Sequence, residues 1–550
     1  MQALLYRKVP TTGGIGLATD VYLPNGPGPF PVLLTRTPYH RVGGLGDART
    51  YTEWGYAYVV QDCRGKYDSE GVFRPLVHEG EDGAATLNWI AEQPWCSGRI
   101  GMVGASYLGI VQIPAAASGH EALRCIAPSV APNRFFSDWL RYGGCFALAN
   151  AIRWSMTHAV CPTKPVEHFA WDELWRLPTL DAVFERAGCE CPELRIWVER
   201  DRYDDYWAAL DQTRMYDKVR VPGFHSGGWF DHISTGQFEA YQGVRDRGRL
   251  KVARANQRLL IGPWGHMTRG QTKYGDWDFG PEAALDLKRY ERRFLDLWMK
   301  DMDDGLSEEP PVRLFVIGLN RWVDFDDWPA PGAETQAWHL HSRGRAATAG
   351  GDGRLSLETP GRESPDRYSY DPKDPVPTLG GQIYWGLAPL GPVEQRAILG
   401  RQDVLYYRSA RLEGPLAVVG PVELELWIAS DAADTDFVAK LCVAEPGGRV
   451  TVLTVGSVRC RYREGWDRHV RLGRDEPALV RISLANLAYV FPKGSRIALI
   501  VTSSCYPRIL PHPNTMAPTW KERRPRAARQ QVLHDRAHPS RLLLPQVEFE

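Results

Sequence analysis

Three short stretches of this chain carry side chains that could do chemistry together. Ser106 sits in Gly104-Ala105-Ser106-Tyr107-Leu108-Gly109, directly after the apolar run Ile100 to Val103. A serine placed where a strand turns sharply into a helix is lifted onto a tight turn at the C-terminal edge of a sheet, where ligands bind in open α/β sheets. Small residues let the neighbouring backbone approach; here they are Gly104 at minus two and Gly109 at plus three. The generic elbow is Gly-x-Ser-x-Gly, and Leu108 at plus two departs from it. An ordinary serine in a strand–helix turn is the rival reading, and two glycines alone do not exclude it.

A serine hydroxyl at neutral pH is a weak nucleophile. It needs an adjacent base, and the base needs a third group to fix its tautomer. On open α/β sheets that carry such a triad the chain order is Ser, then Asp or Glu, then His. Gly227-Gly228-Trp229-Phe230-Asp231-His232 follows the apolar run at Val221, and Gly262-Pro263-Trp264-Gly265-His266-Met267 follows the one at Arg258. Asp231 therefore ranks first as acid and His266 as base. His232 and His225 rival His266. Asp62, in Asp62-Cys63-Arg64-Gly65, rivals Asp231 but precedes the serine, and an ion pair with a nearby arginine is its plainer role.

The elements that must hold these loops are legible as alternation. Val32 to Thr35, Tyr56 to Gln61, Ile100 to Val103 and Leu123 to Ala127 read as buried strands, the last ended by Pro128. Ala84, Leu87, Ile90 and Ala91 mark a helix with one buried face. This rhythm predicts a parallel sheet with helices on both faces. It breaks near Asn133, and residues 133–218, which include Trp139, Trp154 and Trp197, read as a helical cap. The pattern resumes with strands at Val221 to His225 and Arg258 to Ile261. A long helix with Leu287, Tyr290, Phe294, Leu297 and Trp298 on one face follows, then a last strand at Val312 to Ile317. Gly and Pro cluster from Pro329 to Gly381. Beyond them alternating runs such as Val422, Leu424, Leu426 and Ile428 predict an all-β sandwich. The expected domains are an α/β core in two parts, 1–132 and 219–328, the cap at 133–218, and a β-domain at 329–550.

Composition bounds the function. The chain has 550 residues, with 66 basic and 66 acidic side chains, so no long-range field draws in nucleic acid or an anionic membrane. The basic run from Lys521 to Arg529 reads as a solvated loop. No apolar run is long enough for a signal peptide or a membrane span, which predicts a cytoplasmic protein. The ten cysteines are scattered, and Cys189 and Cys191 read as free thiols because no further ligand stands at zinc-site spacing.

The chain resembles the family of cocaine esterase and X-prolyl dipeptidyl peptidases, which also holds cephalosporin acylases and α-amino acid ester hydrolases. The resemblance rests on Arg36-Thr37-Pro38-Tyr39, Gln61 to Gly65, Gly104 to Gly109, Gly227 to Asp231, Gly262 to His266, Asp371-Pro372 through Gly380-Gly381, and Asp434 through Lys440. Gly-x-Ser-Tyr-x-Gly is that family's own elbow. The resemblance implies an α/β-hydrolase core with an inserted helical cap and a C-terminal jelly roll. It implies the triad Ser106, Asp231 and His266, and an oxyanion hole formed by the Tyr107 amide and the Tyr39 hydroxyl. Amino-acid ester hydrolases hold a substrate ammonium with a carboxylate cluster, part of which follows the triad Asp by two and three residues; those positions are Ile233 and Ser234 here, which disfavours that branch. The dipeptidyl peptidases are longer and carry an extra N-terminal domain, which this chain is expected to lack.

The expected activity is therefore hydrolysis of a small carboxylic ester or amide through an acyl-enzyme, with Trp139 and Trp154 lining the pocket and no metal or organic cofactor. Acyl transfer in a biosynthetic pathway and X-Pro dipeptidyl-peptidase action use the same triad, and a catalytically dead ligand-binding relative is a third alternative. A homodimer is compatible with the reading.

Overall fold

The computed structural model describes residues 1–160, 170–347, 350–383 and 389–549. The N-terminal half is built on a ten-stranded sheet. Its strands are β1 (Gln2–Pro10), β2 (Gly16–Leu23), β3 (Phe30–Thr37), β4 (Ala57–Asp62), β5 (Cys96–Ala105), β6 (Leu123–Ser129), β7 (Gly223–Gly228), β8 (Gln257–Gly262), β9 (Val312–Val316) and β10 (Arg321–Phe325). They lie in the order β1-β2-β4-β3-β5-β6-β7-β8-β9-β10. From β4 to β9 every pairing is parallel, and antiparallel strands close both edges.

The parallel strands are continuous apolar runs because helices cover both their faces. On one face lie α1 (Leu45–Glu53) and, from the far end of the domain, a long helix at Leu287–Lys300. On the other lie α2 (Glu79–Ala91) and the short helices α3 (Tyr107–Ile110) and α4 (Gln112–Ala116). The buried side of α2 includes Asp82, which accepts from Arg64 Nε at 3.1 Å.

Several expectations need correction. Pro128 does not end β6: the strand continues to Ser129, whose carbonyl accepts the Ser106 amide at 2.9 Å. The strand at Val312 is not the last, since β10 pairs with it as an antiparallel edge. The edge pair β1–β2 has no counterpart in the sequence reading, because β1 is largely solvent-exposed and shows no apolar alternation. The deepest residues of the Leu287–Lys300 helix are Phe294, Leu295 and Met299, with Leu287, Tyr290, Leu297 and Trp298 half-buried. The sheet beneath sets that rotation: a Cβ on Gly101 of β5 would stand 3.3 Å from Met299 Sδ.

Among the described residues the chain between β6 and β7 is largely helical, with α5 (Leu148–Trp154), α6 (Leu180–Ala187) and α7 (Pro192–Glu199), and holds one short antiparallel pair, Arg141–Tyr142 with Cys145–Phe146. Its aromatic residues pack on one another and form one apolar cluster with the core. After β7 come α8 (Thr235–Arg247) and then the Leu287–Lys300 helix, α9.

The C-terminal part is an eleven-stranded β-structure. Its strands are β11 (Glu334–His341), β12 (Arg354–Ser356), β13 (Asp366–Tyr370), β14 (Leu405–Arg408), β15 (Leu416–Ser430), β16 (Asp436–Ala444), β17 (Val450–Arg459), β18 (Ala478–Phe491), β19 (Arg496–Thr502), β20 (Ala528–Leu533) and β21 (Arg541–Val547). The Gly/Pro-rich stretch thus carries three strands of its own. The basic run is only partly loop: Arg529 lies in β20 and pairs with Asp431 at 3.1 Å.

This β-domain grips the cap through main-chain atoms. The Arg459 amide donates to Gly143 O at 2.8 Å, and Ser457 Oγ donates to Tyr142 O at 2.8 Å. A Cβ on Gly143 would fall 1.7 Å from Ser457 O, so only glycine fits there. Among the described residues no helix is long and apolar enough to cross a membrane. Nine cysteines are described; Cys161 lies outside the described residues. Burial pushes the Cys191 thiol up to about 12, so it is held as a neutral thiol.

Candidate active site

The turn between β5 and α3 holds Ser106 at φ 58 and ψ −125, a strained conformation for a non-glycine residue. The two flanking glycines make the turn sterically feasible. A Cβ on Gly104, at φ 142, would stand 2.5 Å from Leu108 Cβ. One on Gly109 would stand 3.0 Å from Ala131 Cβ and from Ser129 O. The departure from the generic elbow is thereby explained. Leu108 occupies plus two and takes the space Gly104 vacates, while the glycine at plus three admits the end of β6.

The other two loops leave the neighbouring ends of β7 and β8. Phe230 N donates to Trp264 O at 3.0 Å and Trp229 N to Gly262 O at 2.9 Å. A Cβ on Gly228 would meet Trp264 O at 2.2 Å, so glycine there lets the loops touch. Three side chains converge as a result. His266 Nε2 lies 3.0 Å from Ser106 Oγ, and His266 Nδ1 lies 3.0 and 3.2 Å from the two Asp231 oxygens. Asp231 is fully buried and accepts from the Ile233 amide at 3.1 Å. Burial alone would raise its carboxyl, but His266 and His232 hold it well below the usual carboxylate range. An ionised carboxylate on Nδ1 fixes the tautomer that leaves Nε2 as a proton acceptor toward Ser106.

Two of the three rivals fall elsewhere. Asp62 is bound by Arg41 Nη1 at 2.6 Å. His225 lies inside the sheet with Nε2 2.8 Å from Gln257 Oε1, and burial pushes it down to about 4. His232 stays near the site: its Nδ1 approaches Asp231 Oδ1 to 3.0 Å and its ring meets His266 edge-on at 4.9 Å. Burial lowers its basicity despite that carboxylate. Asp231, His232 and His266 present ligand atoms within 4.8 Å of one another, a set that could hold a divalent cation.

Tyr107 opens α3, so its amide has no acceptor within the helix. Its phenol is anchored below, donating to Glu79 Oε1 at 2.7 Å and accepting from Leu76 N at 2.9 Å. Glu79 is held in turn by Arg36 Nη1 at 2.8 Å. Tyr39 stands at the end of β3, and its hydroxyl oxygen accepts from Trp154 Nε1 at 3.0 Å. Trp154 lies over the Tyr107 ring at 5.9 Å, nearly parallel, and meets Trp139 edge-on at 5.3 Å. Both tryptophans are buried, Trp154 against the site and Trp139 behind it.

Glu79 and the positioning contact of Trp154 escaped the sequence reading, as did Arg269. The Arg269 guanidinium, three residues past His266, donates to Ser129 Oγ at 2.7 Å. A cavity of about 580 Å³ opens on the far side of Asp231 and His232, between Tyr142 of the cap, Glu239 of α8 and Arg508 of the β-domain.

Comparison with known proteins gives a consistent set of likenesses. The model described as X-Pro dipeptidyl-peptidase (S15 family) matches residues 13–268, and that of the X-Pro dipeptidyl-peptidase C-terminal non-catalytic domain matches 304–543. Cocaine esterase of Rhodococcus sp. (strain MB1 Bresler) is 34% identical over 98% of this chain and 97% of its own length. The solved aminopeptidase of a marine sediment Thaumarchaeota archaeon superposes with a TM-score of 0.87 at 24% identity, covering 100% of this chain and 96% of that one. An alpha-amino acid ester hydrolase superposes with a TM-score of 0.83 at 24% identity over 99% and 96%. The last two likenesses concern the fold.

Proposed function

The chain belongs to the cocaine esterase and X-Pro dipeptidyl-peptidase (S15) family of serine hydrolases, and from that membership we propose that it cleaves a small carboxylic ester through an acyl-enzyme on Ser106. His266 Nε2 takes the Ser106 proton as Oγ attacks the carbonyl carbon. The negative charge that develops on the carbonyl oxygen is met by the Tyr107 amide and the Tyr39 hydroxyl. The tetrahedral intermediate collapses, His266 hands its proton to the leaving alcohol, and water activated by the same imidazole frees the acid. Asp231 stays ionised throughout and steadies the imidazolium.

The observation that carries this reading is the unbroken relay from Asp231 through His266 to Ser106, with both contacts at 3.0 Å. Under the aromatic cap, Trp154, backed by Trp139, would be the wall against which an apolar acyl group rests. The test is labelling with a fluorophosphonate probe followed by peptide mapping. Modification at Ser106, absent from Ser106→Ala, is expected; a Ser106→Ala enzyme that still turns over its ester would overturn the assignment.

X-Pro dipeptide release is a second reading, favoured by the description of the matching family models. A panel of acyl esters beside X-Pro anilides separates the two, and the esters are expected to turn over faster. Product analysis with an added amine or alcohol distinguishes hydrolysis from acyl transfer. The same reading places the enzyme in the cytoplasm, without nucleic acid as a partner, and is compatible with a homodimer, which light scattering checks.

A further inference from the structure

The β-domain contains a second cavity, of about 830 Å³, whose lining includes no residue of the three active-site loops. Its walls carry Arg343, Arg354, Arg362, Arg408 and Arg496. Two acids also line it; Glu363 is engaged through both oxygens, whereas Asp352 is engaged through Oδ2 and its buried Oδ1 has no hydrogen-bond partner among the described residues. Glu363 is shared between His341 at 2.7 Å and His534 at 3.1 Å, and Asp352 faces Arg345 at 3.4 Å. Among the described residues none of the five lining arginines has an ion pair.

Strand register forces three of them together. Arg354 of β12 and Arg408 of β14 are direct partners in a parallel pairing. Arg408 opposes Ala498 of β19, and Arg496 lies two residues from Ala498, hence on the same face. Three arginines therefore start from neighbouring positions on adjacent strands about 4.8 Å apart, Arg354 and Arg408 exposed and Arg496 half-buried. Like charges so placed repel, and a fold gains nothing structural from the arrangement. Arg496 is half-buried with one bond to the Ser409 carbonyl at 2.6 Å, and burial together with Arg408 and Arg411 lowers its basicity. In a chain with no net charge this is a local concentration of unneutralised cation.

We propose that this cavity binds a small polyanion carrying two or more phosphate or sulfate groups. A tetrahedral oxyanion presents several acceptor oxygens, so one group can serve guanidinium forks from two neighbouring strands, and several groups are needed to neutralise five arginines. The volume lies within the range of small-molecule sites.

The test is isothermal titration of the full chain with pyrophosphate and with a disulfated disaccharide, in parallel with the R354Q/R408Q variant and an R474Q control outside the cavity. Wild type and R474Q are expected to bind at least one of the two ligands with one-to-one stoichiometry, more weakly as salt rises. The R354Q/R408Q variant is expected to lose about tenfold or more in affinity while its ester hydrolysis is unchanged. The more tightly held ligand identifies the oxyanion as phosphate or sulfate. Absence of binding by either ligand, equal binding by R354Q/R408Q, or association with anionic lipid vesicles and with neither ligand would each overturn the proposal.

Discussion

The indole Nε1 of Trp154 donates to the hydroxyl oxygen of Tyr39 at 3.0 Å, across the boundary between cap and core. A phenol that accepts one hydrogen bond is polarised and oriented to donate its own proton. Under the proposed mechanism, Tyr39→Phe removes a donor to the oxyanion and is expected to lower kcat by about 10²–10³. Trp154→Phe keeps the wall but removes its hydrogen bond to the phenol, and about a tenfold loss in kcat with a smaller change in KM is expected. Steady-state kinetics on one ester checks both; a Trp154→Phe enzyme altered only in KM would make this residue a pocket wall and nothing more.

Ser106→Ala is expected to lower kcat by about 10⁴–10⁶, and Asp231→Asn by about 10⁴. The second substitution keeps the size and the Ile233 contact while removing the charge that fixes His266. Circular dichroism should show both variants folded. An Asp231→Asn enzyme with near-normal kcat would show that the imidazole is oriented by something else, with His232 the first candidate.

Gly104→Ala tests the elbow. The added methyl meets Leu108 Cβ at 2.5 Å, at a φ of 142 that side-chain-bearing residues avoid. A loss of roughly 1–3 kcal/mol in unfolding free energy is expected, with activity falling because the strained serine loses its register. Urea denaturation reads the first and ester turnover the second. Retention of both would mean that the turn is more adaptable than its packing implies.

His225 sets part of the acid stability. It is neutral in the folded protein because burial pushes it down to about 4, whereas the unfolded chain titrates near the ordinary value of 6.5. Its contribution is fully present above pH 6.5. As pH falls from there toward 4, the unfolded form takes up a proton that the folded form refuses, and stability is lost. Between pH 7 and pH 5 this amounts to about 2 kcal/mol. Unfolding free energies of wild type and His225→Gln should therefore differ by that much less at pH 5 than at pH 7. A difference independent of pH would refute the linkage.

The parallel centre of the sheet was legible because strands covered on both faces are unbroken apolar runs. The edges were not: β1 is exposed and β10 is half-exposed, so neither shows the pattern of a buried strand. The loops bearing Ser106, Asp231 and His266 could be placed beyond strand ends from glycines and chain order. What surrounds them could not. Trp154 meets Tyr39 across 115 residues and Tyr107 meets Glu79 across 28, and both contacts depend on how helices pack rather than on any local signal. The arginines of the second cavity were hidden for a related reason. They are scattered along the chain, and only strand register makes neighbours of them.

The seam at Gly143 has a practical consequence for anyone recombining this enzyme with its relatives. Because Ser457 O leaves no room for a Cβ there and Arg459 is bonded to the same main chain, a transplanted cap must bring a glycine and a matching β17 strand. Chimeras cut between the hydrolase half and the β-domain would expose that seam to water. Crossovers that keep residues 133–218 together with β17 are the ones expected to yield protein that can be purified.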